Sequence, residues 1–382
     1  MADRIVTTHV GSLPRSAAVT ELIFAHEQGE TVDPARFDAV LTEAVDACVA
    51  RQVECGIDIV SDGEMAKISY ATYIKDRITG FDGDSPRTPP ADLEAFPSFL
   101  KRQAGSGGTP TYRRPCCVGP IAPKTLAPLV DDLRRFDTAI AAHPPAGSFM
   151  NAASPGVIAL FQPNRHYATQ DAYLEALAEA MRPEYEAIVA AGHVLQLDSP
   201  DLGLGRHMMY KERSEAEYLP LIARHVEVLN HALRNVPADR VRMHVCWGNY
   251  EGPHHCDVEM RTILPVLMTA KPRGLLFETA NPRHQHDWQA FRDLAALIPE
   301  DRVLIPGVID STTNFVEHPE VVAQRIEQFA ALVGRERVIA GTDCGFSTFA
   351  GFGAVDPEIV YAKLATLAEG AARASARLWR TA

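Results

Sequence analysis

Val241-Arg242-Met243-His244-Val245-Cys246 reads as a strand, Val258–Ala270 as a helix, and Leu275-Leu276-Phe277-Glu278 as a second strand. A connection that crosses over through a helix leaves its two strands parallel. The same alternation recurs on both sides of this unit. Apolar, β-branched segments fall at Arg4–Val10, Ile57–Ser61, Ser148–Ala152, Val194–Asp198, Val303–Asp310 and Val338–Thr342, which brings the expected strands to eight. Helical periodicity fits Asp33–Cys55, Asp171–Ala191, Ala216–Arg234, Trp288–Ala296 and Pro319–Val333 between most of them. Eight such strands point to an α/β fold, a (β/α)8 TIM barrel, rather than an open sheet. No Gly-rich dinucleotide fingerprint follows the first strand. The stretch from about 80 to 121 breaks the rhythm with Pro86, Pro89, Pro90, Gly105, Gly107 and Gly108, then an extended piece, Pro115–Ile121. It is expected to be an insertion after the second strand that carries an extra hairpin or lid. The chain, 1–382, is expected to form a single barrel with that insertion.

Composition narrows the function. Among 382 residues, 37 Lys+Arg against 49 Asp+Glu give a net charge of −12, which argues against a nucleic-acid binder. No apolar run approaches the roughly 18–20 residues of a bilayer span. The start, MADRIVTTHVGSLPRS, lacks the apolar core of a signal peptide. Seven cysteines (Cys48, Cys55, Cys116, Cys117, Cys246, Cys256 and Cys344) are an odd number without a leader, which fits reduced thiols in the cytoplasm.

Metal-capable residues collect where the strands end. His244 and Cys246 are two apart on one strand and point the same way. Glu278 ends the next strand, and Thr342-Asp343-Cys344-Gly345 follows the last. In a barrel the carboxyl ends of the strands hold the active site. His244, Cys246, Glu278 and Cys344 make a tetrahedral N/O/S2 set suited to zinc. Two thiolates and a carboxylate set three negative charges against the ion's two positive ones. Such an electron-rich zinc is poor at making hydroxide, and better suited to holding a substrate thiol as a reactive thiolate. The chemistry points to alkyl transfer onto sulfur.

These residues resemble the C-terminal catalytic barrel of the cobalamin-independent methionine synthases and the shorter, single-barrel members of that family. The resemblance runs from His9-Val10-Gly11-Ser12-Leu13-Pro14-Arg15 to Gly341-Thr342-Asp343-Cys344-Gly345. It implies zinc as cofactor, bound by His244, Cys246, Glu278 and Cys344 and joined by the thiol of homocysteine. It also implies that Ser12 helps hold the substrate carboxylate, and that Glu64 and Asp198 grip its ammonium group. The implied partners are a small-molecule thiol and an alkyl donor, with neither nucleic acid nor membrane. A second copy of the chain, or a protein that delivers the methyl group, stays open.

The donor side departs from the family pattern. Thr312 stands where the family carries a proton-shuttling His, and a hydroxyl cannot be a general acid near neutral pH. The loop Trp247–His255 is longer than in the methionine synthases, and its His254 and His255 are candidate replacement proton donors. After Glu64 the chain reads Met65-Ala66-Lys67-Ile68-Ser69-Tyr70-Ala71-Thr72-Tyr73, without the family's folate-side signature. The alternative within the family is an epoxyalkane:coenzyme M transferase, in which a zinc-held thiolate opens an epoxide. A sulfonate thiol has no ammonium for Glu64 and Asp198, and would need Arg15 or Arg206 to face the site. A barrel with a purely structural zinc is the reading from another class; a displaceable carboxylate ligand argues against it.

Overall fold

A computed structural model describes residues 3–86, 88–105 and 113–380. Its strands, in chain order, are β1 (Val6–Thr7), β2 (Ile59–Val60), β3 (Phe81–Asp82), β4 (Cys116–Cys117) and β5 (Gly147–Ala153). They continue as β6 (Val194–Asp198), β7 (Val241–Val245), β8 (Gly274–Phe277), β9 (Val303–Ile309) and β10 (Ile339–Thr342). Eight of them form one sheet in the order β1-β10-β9-β8-β7-β6-β5-β2, with every pairing parallel. The two ends of that order, β1 and β2, are neighbours in the ring, so the sheet is a nearly closed α/β barrel.

The β1/β2 seam is closed by side chains rather than by a backbone ladder. The Thr7 amide and hydroxyl donate to Asp58 Oδ2 at 2.9 and 3.0 Å, and the Asp58 amide donates to Thr7 Oγ1 at 3.0 Å. Thr8 Oγ1 reaches the Ile59 carbonyl at 3.0 Å, and Arg4 grips the same Asp58 carboxylate with both guanidinium ends. This explains why β1 and β2 are only two residues long where the sequence suggests five to seven. Their polar backbone groups are satisfied without ladder bonds. Asp58→Ala is expected to cost about 1–3 kcal/mol, because it orphans the Thr7 amide and releases Arg4. Urea unfolding at neutral pH measures it; an unchanged midpoint would mean that the seam is held elsewhere.

Helix boundaries follow capping chemistry. Pro34–Glu54 starts on Asp33, whose carboxylate accepts from the Ala35 amide at 3.1 Å. Glu215–Ala232 carries a full capping box between Ser214 and Glu217. Among the described residues, the helices that escape the sequence reading include Ala17–Glu27, Pro97–Gly105, Ala127–Ala142, Pro155–Phe161 and Pro357–Leu378. Helices pack on the outside of the barrel; Phe277 of β8, for example, stacks on Phe291 at 4.3 Å and meets Phe329 at 5.4 Å.

The insertion contains the expected ribbon. β3 and β4 pair antiparallel, Phe81 opposite Cys117 and Asp82 opposite Cys116, and the helices Ala91–Glu94 and Pro97–Gly105 lie between them. Arg87 and residues 106–112, which include Gly107 and Gly108, lie outside the described residues. No helix among the described residues is long and apolar enough to cross a membrane.

Inside the barrel one cation organises the layer beneath the site. Arg242 of β7 is buried, with its guanidinium 3.7 Å from the centre of the Phe149 ring. It donates to Gln196 Oε1 at 2.8 Å, Thr8 Oγ1 at 2.9 Å and the His9 carbonyl at 3.0 Å. Gln196 in turn donates to the Val10 carbonyl and, at 3.3 Å, to Asp198 Oδ1. The loop after β1 and the end of β6 are thus tied to one buried group.

Candidate metal centre

His244 lies in β7, Cys246 one residue beyond it and Cys344 two residues beyond β10. All three are buried, and one ligand atom from each lies within 4.8 Å of the others. His244 Nε2 and Cys344 Sγ are 3.3 Å apart. Contact with the Cys246 thiol, then burial, pushes the Cys344 thiol well above its ordinary pKa, and burial pushes His244 down. Two thiols and an imidazole brought this close present soft donors to one point. A divalent cation there would take both sulfurs as thiolates. The donor set therefore fits zinc.

Glu278, the fourth expected ligand, stands just past β8 and outside that trio. Its Oε1 accepts from the Trp247 amide at 2.9 Å and its Oε2 from Asn281 Nδ2 at 2.7 Å. Burial pushes its pKa up to about 7, and the nearby Cys246 adds to the rise. Trp247 and Asn281, not singled out in the sequence, fix this carboxylate. Asp343 holds the Asn281 turn, accepting from the amides of Thr279, Ala280 and Asn281, each at 2.8 Å.

The cluster opens on a chamber of about 1010 Å³ whose wall includes Ser12, Glu64 and Asp198. Ser12 is set by its loop. Leu13 donates to the Gly63 carbonyl at 3.1 Å, and Phe346 to the Ser12 carbonyl at 2.8 Å. Gly11 sits at φ +142, and a Cβ there would strike Asn151 Oδ1 at 2.3 Å, so only glycine fits. Asp198 ends β6 and accepts from Asn151 Nδ2 at 3.1 Å; burial, then the charge of Glu64, pushes its pKa up to about 6.

Glu64 is the most strained of the wall residues. It is a non-glycine at φ 57, its carboxyl is buried, and Oε2 has no hydrogen-bond partner. The nearest cation, Lys67 Nζ, is 4.0 Å away and is already donating to the Asn151 carbonyl at 2.7 Å. A buried, underbonded carboxylate held in a left-handed conformation is a candidate ligand group.

The structure does not bring His254 and His255 into the chamber wall. His254 has both ring nitrogens engaged, Nδ1 with Asp257 at 3.0 Å and Nε2 with the Tyr250 carbonyl at 2.9 Å. Against the lowering effect of burial, the Asp257 bond raises its pKa to about 9. His255 packs edge-on against Phe96 at 5.4 Å. Thr312 turns its hydroxyl to Asp310 at 2.8 Å. Arg15 and Arg206 also point elsewhere. Arg15 donates to the carbonyls of Ser347, Glu64 and Lys67, and Arg206 to those of Tyr210 and Lys211.

The insertion forms the opposite wall of the chamber with Thr88, Pro89, Pro90, Leu93, Leu100 and Gln103. It is latched to the loop after Cys246. The Tyr250 hydroxyl donates to both oxygens of the buried Asp92, at 2.8 and 2.9 Å, and the His254 amide donates to Asp92 at 3.0 Å.

Comparison with known proteins agrees with this geometry. The family model described as "Cobalamin-independent synthase, Catalytic domain" matches residues 5–86 and 155–357. A methionine synthase of Saccharolobus solfataricus is 25% identical over 367 residues, which cover 95% of this chain and 93% of that protein. The uncharacterized protein YxjH of Bacillus subtilis is 27% identical over 353 residues, covering 89% and 86%. Among solved structures, a B12-independent methionine synthase from Shewanella sp. superposes with a TM-score of 0.73 at 18% identity, over 98% of this chain and 99% of that one. The two segments of the family match contain all four expected ligands and frame the insertion, and the chain belongs to the cobalamin-independent methionine synthase family, in its catalytic-domain part.

Proposed function

We propose that the protein is a methyltransferase that methylates the thiol of homocysteine, with zinc held by His244, Cys246, Cys344 and Glu278. The observation that carries this reading is the N/S/S trio at the chamber wall beside three residues suited to an amino acid. A zinc ion held there would keep an incoming thiol ionised at neutral pH and still nucleophilic.

The chain's own residues do the rest. Ser12 and its loop receive the α-carboxylate, while Glu64 and Asp198 receive the α-ammonium, which gives Glu64 the partner it lacks. Fixing both groups sets the reach of the side-chain sulfur toward the trio. Trp247 and Asn281 hold Glu278 in place. As a harder donor than sulfur, it would be the ligand to give way to a thiol. The latched insertion limits water entry.

Epoxide opening with a sulfonate thiol finds less support, because Arg15 and Arg206 are spent on backbone carbonyls. X-ray absorption on the zinc-loaded protein separates the two. Sulfur coordination should rise from two to three on adding homocysteine and stay at two with coenzyme M. The reverse outcome would overturn the assignment of the thiol.

A further inference from the structure

The chamber is much larger than homocysteine needs, and its remaining wall has a definite chemistry. Five aromatic rings line it among the described residues, Tyr250 beside the insertion and Tyr70, Phe161, Phe349 and Phe352 together on another side. Tyr70 meets Phe161 edge-on at 5.7 Å and Phe349 at 6.0 Å, so these three rings form one group, and Phe352 is tied to Phe349 by a backbone hydrogen bond of 3.1 Å. Charge among the described residues of the wall is predominantly acidic. Among the described residues lining the chamber, Glu64, Asp198 and Glu251 face one guanidinium, that of Arg114. Arg114 donates to the Phe161 carbonyl at 3.3 Å and lies 5.4 Å from the centre of that ring. Aromatic faces beside carboxylates attract cations, and a resident arginine on one ring is an instance of it. Among the described lining residues, a donor with several carboxylates would meet three acids and one base.

The proton supply points the same way. Among the described lining residues the one imidazole is His244, which belongs to the trio. Thr312 and His254 are turned to Asp310 and Asp257. The raised-pKa acids on the wall, Asp198 and Glu64, are committed to the substrate ammonium in the reading above, so a donor whose leaving group must be protonated would compete with that ammonium for them.

We propose that the methyl donor is a sulfonium, bound with its positive sulfur against the Tyr70–Phe161–Phe349–Phe352 wall. This rests on the reading of the protein as a homocysteine methyltransferase. In the step, the homocysteine thiolate forms a new S–CH3 bond as the C–S bond of the sulfonium breaks. The bonding pair goes to the departing sulfur, which leaves as a neutral thioether. Thiolate and sulfonium charges cancel, and the thiol proton was released to solvent on binding, so the leaving group takes no proton. The acidic, aromatic wall holds the cation before transfer and loses its grip on the neutral product.

The test uses the zinc-loaded, full-length protein with homocysteine. S-methylmethionine and S-adenosylmethionine are compared with 5-methyltetrahydrofolate, as mono- and triglutamate. At least one sulfonium should give methionine with kcat/KM about tenfold or more above either folate. Phe349→Leu and Glu251→Gln should each raise KM for that sulfonium several-fold and leave KM for homocysteine within about twofold. Glu251 is exposed, so its variant serves if Phe349→Leu fails to fold. Folate turnover equal to or above both sulfoniums would overturn the proposal, as would an unchanged sulfonium KM in Glu251→Gln. Failure of the parent reading is seen separately, as no rise in sulfur coordination with homocysteine.

Discussion

Cys246→Ser combined with Cys344→Ser is expected to leave the protein without bound zinc and without methyl transfer to homocysteine. The two sulfurs are the soft donors of the trio, and serine hydroxyls stay protonated at neutral pH and bind zinc weakly. Losing an outer partner of a metal ligand typically costs about 10–100-fold, so losing two ligands should cost more than about 10³-fold in rate. Metal analysis after dialysis should fall from about one zinc per chain to under a tenth. The fold should survive, because the cluster lines a chamber and the apolar packing between barrel and helices lies apart from it. Circular dichroism and a thermal melt check that point. Cys55→Ser is the control: its thiol is half-buried beside the Tyr361 carbonyl and should leave metal and rate unchanged. Stoichiometric zinc in the double variant would remove the trio from the mechanism.

The His244–Cys246–Cys344 cluster was readable from the sequence for a reason that did not extend to the candidate proton donors. His244, Cys246, Glu278 and Cys344 each fall within two residues of a strand's carboxyl end, so the barrel brings all four to one end and gathers three of them into a cluster. The loop after Cys246 has no such frame. Nothing in the run from Trp247 to His255 indicates that Asp257 would take the His254 ring, or that Asp92, far back in the chain, would take the Tyr250 hydroxyl. Contacts of that kind depend on how the insertion docks, and a Pro- and Gly-rich segment carries no periodicity to predict docking. The strands divide in the same way. β6 to β9 follow their apolar patterns closely, because both faces are buried. β1 and β2 shrink to two residues because Thr7 and Asp58 supply the bonds that a ladder would have made. Asn151 was invisible for a similar reason. It reads as an ordinary polar residue in a strand, yet it joins the Val10 carbonyl to Asp198 and blocks any side chain at Gly11.

Glu64→Gln should weaken homocysteine binding and stabilise the empty protein at once. Burial pushes the Glu64 carboxyl up from its ordinary pKa, with Lys67 and Arg15 only partly opposing it. An acid whose folded-state pKa is raised binds its proton more tightly when folded than when unfolded. Above that raised value the folded chain carries a buried charge at a cost, and the cost is relieved as pH falls toward the unfolded glutamate value. At neutral pH the neutral, isosteric glutamine avoids that cost, so Tm should rise by about 2 °C, and the gain should shrink in acid as Glu64 itself becomes protonated. Binding moves the other way. The substrate ammonium is the partner that Oε2 lacks, and losing one half of a buried charge pair should raise KM for homocysteine on the order of 10²-fold with a smaller change in kcat. The positive φ at residue 64 is shared by both side chains and cancels in the comparison. Steady-state kinetics and a melt on the same preparation test both halves. A variant with lower Tm and unchanged KM would make Glu64 a structural residue of the loop, and leave Asp198 alone to hold the ammonium.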